Sequence, residues 1–186
     1  MWHNNDQSYG WIAIGLHWLS AGLVLGLFAL GLWMVDLNYY SNWYKTAPHW
    51  HKSLGLALLL LTLLRLLWRW LQTKPAPLAA HSALEARIGR LVHSVIYLLM
   101  LLIMCSGYLI STADGRGIAV FNLFELPALP WQIPNQEDRA GELHALAAWS
   151  LMLMVGLHLL GALKHQFIDR DLTLKRILTP IKENYR

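Results

Sequence analysis

Four long stretches of the chain hold almost nothing but apolar residues, and the polar residues gather between them. The hydrocarbon core of a bilayer is about 30 Å thick and is crossed by roughly 20 helical residues. The first stretch runs from about Trp11 to Val35, with no charge between Asp6 and Asp36. The second runs from about Trp50 to Leu71, with Lys52 near one end and Arg65 and Arg69 near the other. The third, about Leu91 to Thr112, holds no formal charge, and the fourth covers about Leu143 to Leu163. The pattern predicts an all-α, integral-membrane, up-down four-helix bundle, with residues 1–186 as a single membrane domain.

Local signals mark the helix starts. Pro48 lies near the beginning of the second stretch, where proline costs least. Ser82 followed by Glu85 is a capping-box pattern, which predicts that the third helix begins outside the membrane. Asn135, with Glu137 and Asp138 behind it, predicts the start of the fourth. The segment from Gln72 to Ser82, with Pro75 and Pro77, reads as a short linker. The segment from Asp114 to Glu142 is the longest connection, and a loop of that length often caps something.

Composition agrees with the membrane reading. Hydrophobic residues make up 56% of the 186 and charged residues only 14%, against about 25% in soluble domains. The first residues lack a basic start and a small-residue cleavage site, so the first stretch is expected to be a retained span. Cys105 is the one cysteine, so neither an internal disulfide nor a cysteine-based metal site is available.

The charges predict the orientation. Arg65, Arg69, Lys74, Arg87 and Arg90 surround the second connection. Lys164, Arg170, Lys175, Arg176, Lys182 and Arg186 crowd the C-terminal tail. The third connection is acidic instead: Asp114, Glu125, Glu137, Asp138 and Glu142 face Arg116 and Arg139. Positively charged loops stay in the cytoplasm, which places both termini and the Pro75 linker there. Trp2, Trp11, Trp33, Trp43, Trp50, Trp68 and Trp70 fall near predicted helix ends, as an aromatic belt would.

Five of the nine histidines lie within or at the mouth of a span: His17, His51, His93, His144 and His158. Ionisable groups at membrane depth are costly and usually face a bundle interior or a cofactor. His17 and His93 fall near the cytoplasmic ends of their helices, His51 and His144 near the outer ends of theirs. His158 follows His144 by 14 residues, a rise of roughly 21 Å that returns to nearly the same helix face. Two metal centres follow: His51 with His144 in an outer layer, and His17 with His158 in an inner one. His93 is an alternative inner ligand that spacing does not exclude.

Zinc and copper sites gather three or four ligands, often with carboxylates or thiolates. Each layer here offers two or three imidazoles and no buried acid, which suits a bis-histidine heme in a helical bundle. Gly15, Gly22, Gly26, Gly55, Gly107 and Gly156 would let a flat macrocycle approach the helices; ordinary small-residue helix packing is the plainer reading. Arg65, 14 residues after His51, could pair with a propionate of the inner heme or snorkel to the headgroups. Lys52 could attract an anion or mark the water interface. No general base or nucleophile of the hydrolytic kinds stands in the spans.

The segments G-L-H-W-L-S at His17, H-K-S-L-G-L from His51, V-H-S-V-I-Y-L-L at His93 and G-L-H-L-L-G-A-L-K-H at His158 resemble the bacterial cytochrome b561 family. The tail R-D-L-T-L-K-R-I-L-T-P is similar to the family's ending, so the match spans nearly the whole chain. The resemblance implies two b hemes (protoheme IX), each held by two histidines: His17 and His158, and His51 and His144. It makes His93 and His165 neighbours of the inner heme or of a quinone. It implies residence in the bacterial inner membrane and electron transfer between a periplasmic donor, superoxide in some members, and ubiquinone. Other members pair with a periplasmic lipocalin-like isoprenoid-binding protein, and the runs F-A-L-G-L-W-M-V and G-Y-L-I-S-T-A-D-G bring this chain nearer to those. Two further expectations compete with an independent oxidoreductase: a heme-bearing anchor that relays electrons for a docked partner, and a histidine-lined metal transporter.

Overall fold

The structure is a computed structural model, and it describes residues 1–76, 78, 82–131 and 133–181. Pro77 and the tail residues Lys182 and Arg186, used above, lie outside the described residues. Four long helices are present: α1 (Trp11–Val35), α2 (Thr46–Leu71), α3 (Ala83–Ser111) and α4 (Gln136–Lys164). A π-helical turn (His165–Asp169) and a short α5 (Thr173–Leu178) follow α4. Each long helix is long and apolar enough to cross a membrane. In α2 and α4 only 11% of the most apolar window is buried. Leu60, Leu98, Leu146 and Leu153, each at least 60% exposed, therefore face lipid rather than a protein core.

α1 covers the residues expected of it. The other helices start earlier than their apolar stretches. α2 begins at Thr46, with Pro48 inside its first turn, where a missing N–H removes no bond. α3 begins at Ala83 because the capping box forms: the Ser82 N–H donates to Glu85 Oε2 at 2.9 Å, and the Glu85 N–H donates to Ser82 Oγ at 3.2 Å. α4 begins at Gln136, directly after the left-handed Asn135 (φ 55°). Some buried hydroxyls in the spans are satisfied within their own helix, as lipid favours. Ser20 Oγ donates to the Leu16 carbonyl at 2.6 Å.

The all-α expectation needs one correction. The third connection contains an antiparallel hairpin, β1 (Ile118–Val120) and β2 (Phe124–Leu126), with Val120 paired to Phe124. Phe121 and Asn122 both take positive φ, 49° and 57°, and the Leu123 N–H closes the turn on the Val120 carbonyl at 2.9 Å. Two such residues match the right-handed twist of a hairpin. Ile118 and Val120 turn inward at 3% and 5% exposure.

The chain divides into two compact units. The first comprises Met1–Ser20, Leu61–Tyr97 and Met152–Arg186; the second comprises Ala21–Leu60 and Leu98–Leu151. In the first unit the N-terminal segment is tied to both other loops. Asn4 Nδ2 donates to the Thr73 carbonyl at 3.2 Å, and the Ala76 N–H donates to the Asp6 carbonyl at 2.8 Å. Ser8 Oγ accepts from the Ile181 N–H at 3.0 Å, and Trp18 Nε1 donates to the Ile177 carbonyl at 2.9 Å. The N-terminus, the Pro75 linker and the C-terminal tail thus share one unit. In the second unit Ser53, fully buried near the start of α2, anchors the hairpin. Its Oγ accepts from the Phe121 N–H at 3.0 Å and donates to the Ala119 carbonyl at 3.5 Å.

Candidate functional site

The span histidines meet in pairs, and each pair lies inside one unit. In the second unit His51 of α2 and His144 of α4 place their ring centres 6.3 Å apart, with the rings at 65°. In the first unit His17 of α1 and His158 of α4 stand 6.4 Å apart at 70°. His93 of α3 is closer to His158, at 5.0 Å. A metal held between two imidazole nitrogens at about 2.0–2.1 Å each puts the ring centres about 6.3 Å apart, with each centre about 1.1 Å behind its nitrogen. The two wider pairs fit that spacing. His93 and His158 stand closer than that spacing.

The imidazoles differ in what faces their outer nitrogen. His144 Nδ1 lies 2.9 Å from the Ile103 carbonyl and 3.2 Å from Ser106 Oγ, both on α3. A carbonyl only accepts, so Nδ1 carries the proton and Nε2 keeps its lone pair. His51 Nδ1 is buried and makes no hydrogen bond among the described residues. His17 Nδ1 lies 2.8 Å from Arg65 Nη2. Arg65 therefore contacts His17 and leans over Tyr97, its guanidinium carbon 5.5 Å from the ring centre. Sequence spacing gave Arg65 a depth but not this partner.

Two glycines set the outer rings against bare backbone. A Cβ on Gly107 would stand 3.2 Å from His144 Cε1 and 3.4 Å from its Nδ1. A Cβ on Gly31 would stand 3.2 Å from His51 Cε1. Gly15, Gly22, Gly26, Gly55 and Gly156 have open space where a Cβ would go. Imidazole pairs without a carboxylate, bare glycine surfaces beside the rings and a nearby guanidinium together suit a heme and its propionates. Gly31, Ser106 and Ser53 were not singled out from sequence. The available sign was a small or hydroxyl residue inside an otherwise apolar helix.

In the π-helical turn after α4, His165 Nδ1 lies 2.9 Å from Asp171 Oδ2 and 3.0 Å from Asp169 Oδ2. Lys164 Nζ sits 2.6 Å from Asp169 and 2.9 Å from Glu85, so a cation of the chain already meets these acids. At the start of the acidic connection, the Arg116 N–H holds the Asp114 carboxyl below its usual range, with help from the guanidinium.

Four spanning helices with imidazoles meeting in pairs define the class, the helical membrane cytochromes. The chain belongs to the prokaryotic cytochrome b561 family, whose model matches residues 8–180. It is 47% identical over 182 residues to cytochrome b561 homolog 2 of Escherichia coli (strain K12), covering 98% of this chain and 97% of that protein. It is 28% identical over 173 residues to a probable superoxide oxidase of Yersinia pestis (92% and 96% covered). It is 29% identical over 180 residues to cytochrome b562 of Cereibacter sphaeroides (94% and 98% covered). The chain is thus a multi-pass bacterial membrane protein of a b-type heme family.

Proposed function

We propose that the chain binds two b hemes and carries electrons across the bacterial inner membrane between a periplasmic donor and the quinone pool. Two imidazole pairs at 6.3 and 6.4 Å, one in each compact unit, carry this reading. His51 and His144 are assigned to the outer centre, and His17 and His158 to the inner. Heme supplies the one-electron couple; the protein supplies axial nitrogens, apolar walls and charge. An axial Nε2 leaves the proton on Nδ1, which a guanidinium cannot accept. A ligating neutral His17 therefore turns Arg65 away from Nδ1, and the released guanidinium can pair with a propionate carboxylate.

The basic linker and tail support a cytoplasmic placement of both termini. Superoxide is one candidate donor, named by the Yersinia pestis relative, and ubiquinone is the proposed acceptor. Purification in mild detergent with a pyridine hemochrome count tests the core of the reading. Two low-spin b hemes per chain are expected, and His144→Ala should keep one. No heme, or two hemes in His144→Ala, would overturn the assignment.

A further inference from the structure

The turn of α3 from Ile103 to Gly107 forms a socket for one imidazole. Ser106 is 1% exposed, and its Oγ lies 2.8 Å from the Leu102 carbonyl and 3.0 Å from the Ile103 carbonyl. The same oxygen is 3.2 Å from His144 Nδ1. A hydroxyl has one proton and two lone pairs. With its proton directed to a backbone carbonyl, Ser106 offers a lone pair to the His144 Nδ1–H, beside the Ile103 carbonyl at 2.9 Å. Gly107, one residue on, leaves the ring room to lie against the helix.

From this geometry we infer that Ser106 is a positioning residue for the outer centre, helping to hold the rotation of His144 by accepting a hydrogen bond from the Nδ1–H whose place the Ile103 carbonyl sets. The inference rests on the assignment of His144 as a ligand. A partner on the non-ligating nitrogen orients a histidine and raises its basicity. A more basic imidazole favours the higher oxidation state of its metal, so losing the bond raises the midpoint potential. The Ile103 carbonyl remains in place, so the effect is partial. Two of the other paired histidines are not held this way: His51 Nδ1 makes no bond among the described residues, and His17 Nδ1 faces a guanidinium.

The test is a redox titration of the purified two-heme protein and of Ser106→Ala, with the low-spin ferric signal of each heme recorded alongside. His144→Ala and His17→Ala, each stripped of one heme, identify which signal is which. In Ser106→Ala the outer heme should shift to higher potential by a roughly two- to tenfold change in its ferric-to-ferrous balance, tenfold being about 59 mV for one electron. The inner heme should stay put. Ser106→Thr and Ser106→Val have nearly the same shape and differ in the hydroxyl, so Thr should titrate near the natural protein and Val with the alanine variant. Unchanged potentials in Ala and Val, equal shifts of both hemes, or Thr and Val behaving alike would overturn the inference. Retention of both hemes by His144→Ala would instead remove the ligand assignment beneath it.

Discussion

His158 has two imidazole neighbours, and the function proposed above gives them different roles. His17 stands at the separation an axial pair needs, while His93 is more than an ångström closer. His93→Ala should therefore keep two hemes, whereas His17→Ala and His158→Ala should each drop to one by hemochrome count. The reverse result, heme lost with His93 and kept without His17, would transfer the inner centre to His93. Arg65 is tested by Arg65→Leu. A cation beside a heme favours the ferrous form, so its removal should lower the inner potential by up to about a tenfold change in redox balance, or about 59 mV. A potential that does not move would mean that Arg65 serves the headgroups instead. At Gly107 a methyl group would meet the His144 ring at 3.2 Å from Cε1, with backbone behind it. Gly107→Ala should push the ring off its axis and weaken outer-heme retention by about 10- to 100-fold, read as heme loss to an apo-protein acceptor.

At the scale of elements, the hairpin is hydrogen-bonded to α2 through the Ser53 hydroxyl, beside a ring contact between Trp50 and Phe121. Ser53→Ala removes the acceptor of the Phe121 N–H and leaves that donor unpaired, a cost of about 1–3 kcal/mol. Amide exchange over 118–126 should quicken in that variant while exchange in the long helices stays unchanged; equal exchange in both proteins would show that packing of Ile118 and Val120 suffices. The long helices were legible in sequence because twenty apolar residues have few other uses, and the early start of α3 was legible from Ser82 and Glu85. The hairpin was not, because three residues are too few for alternation to register and Phe121-Asn122 lacks the glycine that usually marks such a turn. The π-helical turn and α5 hid for a similar reason, being too short for periodicity to register. The grouping of the span histidines was readable, since a helix rises uniformly, but spacing did not choose between His17 and His93 beside His158. What faces each Nδ1 was not, because a buried serine in an apolar helix ordinarily returns its proton to the carbonyl four residues back.

For the whole molecule, the division into units sorts the charges. Of the 15 Lys and Arg, only Lys45, Lys52, Arg116 and Arg139 fall in the second unit, which holds six of the 11 acids. The rest of the basic residues share the first unit with both ends of the described chain and the Pro75 linker. An even number of crossings requires the two termini to emerge on one face, and the hydrogen bonds from Ser8 to Ile181 and from Ala76 to Asp6 meet that requirement. In the reading proposed above, the excess of positive charge sets that face in the cytoplasm, since basic loops resist transfer across a membrane. The chain allows a direct check because Cys105 is its one cysteine. In a Cys105→Ser background, Asn122→Cys on the hairpin turn should react with a membrane-impermeant maleimide in intact cells. Lys175→Cys in α5 should react only after the membrane is opened. Labelling in the opposite sense would invert the protein, place the His51 and His144 pair toward the cytoplasm, and move the proposed donor to that side.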